Sequence, residues 1–399
     1  MSMNRMNLQS HWQLDPSLTY FNHGAFGATP TIVLEAQRRW RDGLERDPIA
    51  FLGPERDLIP KLDVVRGRIG ELVHASPDDV VFVRSATDGV NAVLRSFPLA
   101  AGDEIIITDH GYNACNNAAR YVAGLHGAVV TTAEVPFPLT RPGEVVEAIA
   151  SKFSSKTKLL LVDHVTSPTG LVFPIQEIVA VAHERGIRVL VDGAHAPGMV
   201  PVDLKAIQAD YYTGNHHKWL CAPKTSAFLW VRDEWQHEVR PNIISHGANQ
   251  TDAGRSRFQC EFDWQGTFDP SPILAIPAAI DFLSALFPGG LSGLMRSNHD
   301  LALSARAMMA DALKVPPPAP ESMIGTLVAL PLPPNPDKAR SNHGDADPLQ
   351  AKLRNQYAIE IPIFSAPKPT MRLLRLSLQA YNDLDQVNYL IDALRKSFA

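Results

Sequence analysis

Short apolar runs alternate with amphipathic stretches between about residues 80 and 232. The runs are nearly continuous in apolar residues, which is typical of strands that are covered on both faces. Strands that alternate with helices in this way predict an α/β fold, with a mostly parallel central sheet wrapped by helices. The six predicted strands are Val80–Val83, Ile105–Ile107, Val129–Thr131, Leu159–Val162, Val189–Val191 and Phe228–Val231.

The C-terminal part of the chain shows another pattern, with one long helical stretch and separated strands. Because 399 residues exceed what one hydrophobic core usually organises, we expect a smaller α+β domain here. We place the large domain over residues 15–288 and the small one over 289–399, together with the N-terminal segment 1–14. The elements predicted for the small domain are helices near 291–313 and 384–397 and strands at 324–330 and 373–378, with proline-rich loops at 315–320 and 331–336.

Composition narrows the class of protein. The chain is 45% apolar and 20% charged, and its formal net charge of −5 provides no basic surface for nucleic acid. Its three cysteines, Cys115, Cys221 and Cys260, are far apart, which argues against a disulfide framework or a zinc site and fits a reducing compartment. We therefore expect a cytoplasmic protein with no metal site, no signal peptide and no membrane span.

Polar clusters follow four of the predicted strands. They lie at residues 84–87, 109–110, 163–164 and 192–195. In open α/β sheets, ligands bind beyond the carboxyl ends of the strands. The sequence therefore predicts a binding site at that edge of the sheet.

Lys218 has unusual neighbours for a charged surface residue, since Gly214, Asn215 and two histidines precede it and Trp219 follows. Asp192 ends a strand that we expect to be buried, where a carboxylate needs either a cationic partner or loop amides that donate to it. Pyridoxal 5′-phosphate (PLP) uses both residue types, because its aldehyde condenses with a lysine amine and its ring nitrogen pairs with an acid.

The stretch Ser85-Ala86-Thr87 opens a predicted helix, whose N-terminus is suited to an anion. The alternative is that Thr87 only caps the helix. No G-x-G-x-x-G sequence follows a strand, and residues 24–27 do not form a P-loop, so a single phosphate is favoured over a dinucleotide or a triphosphate.

Three further side chains allow two interpretations each. His195 can donate to the phenolate oxygen of the cofactor or serve as a structural histidine. Tyr112 can lie over the pyridine ring or pack in the core. His216 and His217 are adjacent and would point to different sides of an extended chain, which excludes a metal pair and leaves one of them for phosphate.

These residues resemble the class V aminotransferase-fold enzymes, which are fold type I PLP enzymes, and in particular their isopenicillin N epimerase-like branch. The resemblance extends over nearly the whole chain. Its central motifs are specific, and its terminal ones are weak alone. The stretches that carry it are 22–27, 85–87, 191–198, 214–219, and 375–377 with 381–382.

The resemblance implies a role for each matching residue. Lys218 would carry the cofactor, Asp192 would pair with the pyridine nitrogen and Tyr112 would stack on the ring. Arg375 would clamp the substrate α-carboxylate by its bidentate fork, although Arg372 competes for that role. The remaining residues expected around cofactor and substrate are Ser85, Ala86, Thr87, Asp163, Ser167, His195, Asn215 and His217 for the cofactor, Gly266 and Thr267 from a second subunit of a homodimer, and Asn22 and His23 for the substrate.

The reaction stays open at this point, because the pocket selects which bond of the cofactor-bound substrate breaks. Lys218 is the natural base for the α-proton of an amino acid or of a peptide derived from one. Epimerisation is the first hypothesis, and a C–S lyase that eliminates a β-substituent is the alternative; transamination and cysteine desulfuration are less favoured, since no cysteine follows Cys260. Epimerisation requires a second acid, for which His23 and Tyr112 are candidates. A catalytically idle PLP-binding module is the non-enzyme alternative.

Overall fold

The computed structural model of the protein describes residues 8–250, 254–333 and 347–398. The strands in these residues are β1 Thr19–Tyr20, β2 Val80–Val83, β3 Glu104–Thr108, β4 Val129–Ala133, β5 Thr157–Asp163, β6 Arg188–Asp192, β7 Tyr211–Asn215, β8 Ala227–Val231, β9 Leu327–Pro331, β10 Ile359–Glu360, β11 Ile363–Phe364 and β12 Leu373–Ser377. The helices are α1 His23–Phe26, α2 Thr31–Arg46, α3 Pro48–Leu52, α4 Leu58–Val73, α5 Ala86–Ser96, α6 Asn113–His126, α7 Gly143–Ala150, α8 Ile175–His183, α9 Leu204–Ile207, α10 Arg257–Asp263, α11 Ser271–Leu274, α12 Ile276–Leu286, α13 Gly290–Leu313, α14 Pro348–Tyr357 and α15 Leu384–Phe398.

A seven-stranded sheet forms the centre of the larger part of the chain, in the order β2-β8-β7-β6-β5-β3-β4. The strands β4, β3, β5, β6 and β7 pair in parallel, and β8 runs antiparallel to both of its neighbours. The mostly parallel sheet and all six strands expected from the apolar runs are confirmed. The crossover helices place the carboxyl ends of β5, β6 and β7 side by side.

Both faces of this sheet are buried. Val80 and Phe82 of β2 lie in one hydrophobic cluster, and Val81 and Val83 lie in another on the opposite face. Side chains alternate between the two faces of a strand, so a continuous apolar run is what burial on both faces requires. This burial makes the polar residues at the strand ends exceptional and places them beside a low-dielectric core.

A three-stranded antiparallel sheet, β11-β12-β9, lies in the C-terminal part and packs on α13, α14 and α15. The helices predicted near 291–313 and 384–397 are present as α13 and α15. The strand predicted at 324–330 begins three residues later, because Ile324 makes only an isolated bridge with Leu171. The predicted loop at 331–336 lies partly outside the described residues, and the domain boundary at 288/289 falls in the turn between α12 and α13 and stays a prediction.

The N-terminal segment is joined to the C-terminal part. β1 pairs in parallel with β10, with Thr19 opposite Ile359, and Asn22 bridges Ser377 of β12. This pairing places α1 close to the end of β12. Arg375 of β12 is thereby brought towards the carboxyl edge of the central sheet, where its side chain contacts Ser167.

None of the described helices is by itself long and apolar enough to cross a membrane. The segment 271–286 together with 290–313 passes the same test of length and composition as a pair bent by 66°.

Candidate active site

Two carboxylates lie at adjacent strand ends on the carboxyl edge of the sheet. Asp163 ends β5 and Asp192 ends β6, and the two residues are register partners. Parallel pairing in register places both side chains on the same face of the sheet. Both are buried, and burial together with the neighbouring Asp192 carboxylate raises the pKa of Asp163 well above its usual value. Burial thus favours the protonated form more strongly at Asp163 than at Asp192.

Asp192 accepts two hydrogen bonds from the protein. The backbone N–H of Ala194 donates to Oδ1 at 3.0 Å, and the thiol of Cys115 donates to Oδ2 at 3.1 Å. Burial raises the pKa of Asp192, and these two bonds oppose the rise. A carboxylate has about four lone-pair sites, so Asp192 has the capacity for a further donor.

Lys218 lies three residues beyond the end of β7 and is buried. Its Nζ is 3.0 Å from Nε2 of His195. Burial lowers the pKa of Lys218 to about 8, and the Asp192 carboxylate opposes a further fall. A buried amine whose pKa is lowered towards neutral pH has a larger unprotonated fraction, which is available both as a nucleophile and as a base.

The backbone around Lys218 is enclosed by glycines that no other residue can replace without a shift. A Cβ on Gly27, which has φ +70°, would lie 1.9 Å from the carbonyl oxygen of His217. A Cβ on Gly198, at φ +86°, would lie 2.6 Å from the carbonyl carbon of Trp219. Only glycine combines a left-handed φ with so close an approach. The α1 end and the loop after β6 therefore hold the lysine segment from two sides.

His195 makes two contacts with the lysine segment. Its Nδ1 accepts the indole N–H of Trp219 at 3.2 Å, and its Nε2 faces Lys218 Nζ. Burial lowers the pKa of His195 well below its usual value, and the charge of Lys218 lowers it further. Burial therefore favours a neutral His195, in which one ring nitrogen carries the proton and the other accepts a hydrogen bond.

The N-terminus of α5 adjoins the lysine segment. Ser85 caps α5, since its Oγ accepts the N–H of Asp88, and the N–H of Ala86 donates to Oδ1 of Asn215 at 2.8 Å. Ala86 and Thr87 lie in the first turn, where helix amides have no partners within the helix. Asn215 thus connects the predicted phosphate end of α5 to the strand that leads to Lys218.

The two adjacent histidines lie in separate surroundings. His216 is buried and stacks on Phe228, with the ring centroids 5.4 Å apart. His217 donates its Nδ1–H to the backbone oxygen of Ser226 at 3.1 Å. Among the described residues, no group of three or more His, Cys, Asp or Glu side chains is placed to hold a metal ion.

Tyr112 lies beside Lys218 at the start of α6. Its ring centroid is 6.0 Å from Lys218 Nζ, and 42% of the residue is exposed. Its backbone N–H donates to Oδ1 of Asp163 at 3.4 Å. Burial of the inner part raises the pKa of Tyr112, so the phenol stays protonated.

The two arginines that are alternatives for a substrate carboxylate differ in their hydrogen-bond partners. Arg372 binds Asp347 through Nε at 2.8 Å and through Nη2 at 2.6 Å. Arg375 is buried, contacts Oγ of Ser167 at 3.2 Å and stacks on Phe364 at 4.8 Å. Within the described part of the chain, Arg375 Nε has no hydrogen-bond partner. Of the two guanidinium groups, that of Arg375 is therefore the one with an unused hydrogen-bond donor.

His23 and Asn22, which we expect on the substrate side, both make contacts that support the framework. His23 is fully buried, accepts from the hydroxyl of Tyr381 at 2.7 Å and donates to the backbone oxygen of Lys218 at 3.0 Å. Burial lowers the pKa of His23 to about 3. Asn22 donates to Glu360 at 3.0 Å, while its buried Oδ1 has no partner among the described residues.

Gly266 and Thr267 follow α10, and Gly266 has a φ of +99°. In the described part of the chain, no hydrogen bond joins either residue to Lys218 or to the first turn of α5. Their expected role depends on a second subunit and stays a prediction.

Two residues of the site were missed by sequence reasoning. The first is Cys115, which stands one helical turn after Tyr112 and donates to Asp192. The second is Trp219, which donates to His195. Tyr112 and Cys115 are three positions apart, which places them on one side of α6. This spacing is the signal in the sequence that points to Cys115.

The residues present fit PLP on the evidence of their own unsatisfied groups. The site combines a buried lysine amine, a carboxylate with capacity for a donor, a helix N-terminus and a buried arginine whose Nε has no partner in the described part of the chain. Fold and site together define a PLP-dependent enzyme of fold type I.

Comparison with known proteins agrees. The family model described as aminotransferase class-V matches residues 54–313, and the chain belongs to this family. It is 35% identical to the isopenicillin N epimerase of Amycolatopsis lactamdurans over 98% of each chain. It is 32% identical to a probable chloroplastic L-cysteine desulfhydrase of Arabidopsis thaliana over 95% of this chain and 83% of that protein. A solved structure of the cystine C–S lyase C-DES with cysteine persulfide superposes with a TM-score of 0.79 at 22% identity, over 95% of this chain and 97% of that one.

Proposed function

We propose that the protein is an epimerase or racemase that acts at the α-carbon of an amino acid or of a small peptide derived from one. The observation that carries the proposal is the buried Lys218 amine, 3.0 Å from His195 and on the same edge of the sheet as Asp192. The similarity to isopenicillin N epimerases over nearly the full length supports the choice of reaction.

Lys218 would hold the cofactor, Asp192 would pair with its ring nitrogen, and Ser85, Ala86, Thr87, Asn215 and His217 would surround its phosphate. When bound, PLP supplies an electron-withdrawing ring that stabilises negative charge at the α-carbon. Asp163, Ser167 and His195 complete the proposed set. The role of Ser167 is supported by its contact with Arg375, which ties cofactor side and substrate side together.

Arg375 would bind the α-carboxylate of the substrate. Its Nε is buried without a partner among the described residues, and a carboxylate is the acceptor that a guanidinium fork matches best. Arg372 is unsuited, because Asp347 already occupies its fork. Fixing the carboxylate orients the α-hydrogen with respect to Lys218 Nζ, which takes up the proton.

Inversion needs an acid on the face opposite the lysine, and Tyr112 is the better candidate of the two that we considered. Its phenol is protonated and partly exposed beside the site. His23 has both ring nitrogens engaged and supports the backbone of Lys218 from behind. We assign the second proton transfer to Tyr112 and a supporting role to His23.

The alternative activity is β-elimination from a sulfur-bearing substrate. The similarity to L-cysteine desulfhydrases over 95% of the chain favours it, since removal of the α-proton is common to both reactions. A desulfurase that uses its own cysteine as nucleophile is disfavoured, because all three cysteines are buried. Burial raises the pKa of Cys221 to about 12 and that of Cys115 well above its usual value.

The test is NMR of the PLP-loaded protein in heavy water with L-amino acids, sulfur conjugates and small peptides. α-Deuteration with loss of chirality and without keto acid supports the epimerase. Keto acid with a released thiol supports the lyase and overturns the first proposal. Tyr112→Phe is expected to retain α-deuteration while racemisation falls, and equal loss of both would remove Tyr112 from the proposed role. Silence across the panel would favour the idle module.

We further propose a homodimer in the cytoplasm, with Gly266 and Thr267 reaching the partner's phosphate site. Large apolar side chains are exposed between α1 and α4, among them Phe26 at 71% and Ile49 at 69%. Contiguous apolar surfaces mark protein interfaces, and we propose that these side chains contribute to one. Light scattering on the wild type and on Phe26→Asp tests the dimer, and a wild-type monomer would overturn it. The wide spacing of Cys115, Cys221 and Cys260 along the chain, which fits a reducing environment, supports the compartment.

The division into a large domain, 15–288, and a small domain, 289–399 with 1–14, is likewise a proposal. Its support is a separate hydrophobic cluster of side chains between Leu301 and Leu394, although Phe21, near the N-terminal end of the proposed large domain, also packs in this cluster. This arrangement gives Arg375 to the small domain and Lys218 to the large one. Limited proteolysis that cuts first near residue 288 would support the boundary.

A further inference from the structure

Trp219 directly follows Lys218 and contacts His195 in the interior of the site. It is fully buried, and its indole N–H donates to Nδ1 of His195 at 3.2 Å. On the other side of the same imidazole ring, Nε2 is 3.0 Å from Lys218 Nζ. One histidine ring thus connects the indole to the reacting amine.

The hydrogen bond from the indole selects between the two tautomers of a neutral His195. An indole N–H is a donor and never an acceptor, so Nδ1 of His195 has to accept. A neutral imidazole carries a single N–H, which must then lie at Nε2. His195 therefore donates towards Lys218 Nζ, and it has no lone pair left to accept from an ammonium group there.

We propose that Trp219 is a positioning residue that locks His195 in the Nε2–H tautomer, so that His195 acts only as a hydrogen-bond donor towards the reacting atoms beside Lys218. Two consequences follow. An ammonium form of Lys218 finds a donor instead of an acceptor at His195, which favours the free amine. An oxygen that carries negative charge at this place finds a donor that is already oriented.

The surroundings keep Trp219 in place. Its ring lies 5.1 Å from that of His23, and a Cβ on Gly24 would contact its Cζ2 at 3.4 Å. Gly198 closes on its backbone carbonyl. With zero exposure and neighbours on these sides, the indole cannot turn away from His195 without moving the lysine segment.

Other charges also act on the amine, and the tautomer lock is separate from them. The titratable groups that face Lys218 from the neighbouring elements are Asp192, Asp163, Cys115, Tyr112, Arg375, His195 and His217. None of the others contacts Nδ1 of His195, which Trp219 occupies. Removal of the indole N–H therefore changes the tautomer preference and leaves these groups in place.

The experiment uses the apoprotein with ¹⁵N-labelled histidine, and long-range ¹H–¹⁵N spectra report the tautomer of His195, assigned with His195→Gln. In the wild type we expect the Nε2–H tautomer both below and above pH 8, the midpoint for Lys218. In Trp219→Phe the lock is absent, so below pH 8 His195 can accept from the ammonium group and the Nδ1–H form becomes the major one. The Nδ1–H form in the wild type, or an unchanged tautomer in Trp219→Phe, would overturn the proposal.

A matched control is available in the same fold. Trp230 is buried, but its Nε1 has no hydrogen-bond partner among the described residues. Trp230→Phe makes a similar change of volume without removing an indole hydrogen bond, and we expect no change at His195. A change of the same size in both variants would assign the effect to packing and would contradict the lock.

A second variant covers the case in which Trp219→Phe does not fold. Site-specific incorporation of 3-benzothienylalanine at position 219 keeps the shape of the ring and replaces the N–H by sulfur, and we expect the same switch of tautomer. Only the consequence of the lock for the reacting groups rests on the proposed function of Lys218. The tautomer lock itself does not depend on that function. The spectra of the apoprotein test the lock even if no substrate is turned over, so its failure and that of the proposed function are distinguishable.

Discussion

Two regions of the molecule bury several charged groups each, and they treat them in opposite ways. In α10, Asp263 is held by Arg66 at 2.8 Å and by Arg255, and Glu261 is held by Arg257 at 3.1 Å and by Arg240. At the sheet edge, Asp163, Asp192, Lys218 and Arg375 are equally buried, but no salt bridge joins any of them in the described chain.

The difference separates charges that hold the fold from charges that react. A buried carboxylate surrounded by guanidinium groups has its donors supplied and gains nothing from a ligand. A buried group without such partners has a shifted pKa and unused hydrogen-bonding capacity, which a cofactor and a substrate can satisfy. The α10 cluster is therefore expected to govern stability, and the sheet edge is expected to govern chemistry.

The largest difference between an effect on activity and an effect on stability is expected from Lys218→Ala. Loss of the base should reduce α-proton exchange by at least about 100-fold, while the thermal stability of the apoprotein does not fall, because a buried amine is removed. NMR in heavy water and calorimetry measure the two effects. Lys224→Ala is the control, since this lysine contacts Thr29 at 3.3 Å and lies outside the site. Exchange within tenfold of the wild type would contradict the role of Lys218.

Asp263→Asn tests the other region. Because Arg66 and Arg255 would lose their buried counter-charge, we expect the free energy of unfolding to fall by about 3 to 5 kcal/mol. Urea denaturation measures this change. The control is Asp281→Asn, which breaks the exposed pair with Arg68 and should cost about 1 kcal/mol or less. Equal effects of the two substitutions would refute the distinction between the regions.

The pH dependence of stability offers a third test. A lysine whose pKa falls from 10.5 to about 8 on folding binds fewer protons in the folded state between these values, so it destabilises the fold fully below pH 8 and not at all above pH 10.5. We expect apo Lys218→Met to exceed the wild type by about 3 kcal/mol at neutral pH. Denaturation at several pH values should show this advantage shrinking from pH 8 upwards, and a constant difference would speak against a depressed lysine pKa.

Arg375 of β12 and Arg372, which directly precedes this strand, sharpen the comparison further. Arg375→Gln should raise KM by about 30-fold, which corresponds to the loss of about 2 kcal/mol from a charged hydrogen bond to the substrate. Arg372→Gln should leave KM unchanged and lower stability, because it separates the pair with Asp347. Steady-state kinetics of both variants decide between them. A larger change of KM in Arg372→Gln would reverse the assignment.

The smallest effect is expected from Cys115→Ala. The thiol bond to Asp192 opposes the rise in the pKa of that carboxyl group, so its removal should weaken the pair with the cofactor. About 1 kcal/mol, or about a fivefold loss of PLP affinity, follows from one hydrogen bond. Fluorescence titration with PLP measures it. Cys115→Ser, which keeps a donor, should restore most of the affinity, and failure to do so would indicate a packing effect.

The sequence predicted the sheet well because its signal is local. A strand is recognised from consecutive positions, such as the apolar run Val189–Val191 and the polar residues that follow it. The contacts that distinguish Arg375 from Arg372 were out of reach, since Asp347 and Ser167 join them across 25 and 208 positions. The same holds for Cys115, which lies 77 positions from Asp192. His23 was expected near the substrate, but its burial depends on Tyr381, far along the chain.

The pairing of β1 with β10 has a consequence for how the protein is made. Thr19 leaves the ribosome early, whereas Ile359 and the strand with Arg375 leave it late. Contacts between such distant segments form slowly, and domains at the N-terminal side fold first during translation. A nascent chain that stops before Ile359 thus lacks Arg375 and leaves β1 without its partner strand. Such a fragment is a target for chaperones and proteases, and complete synthesis becomes a condition for a closed site.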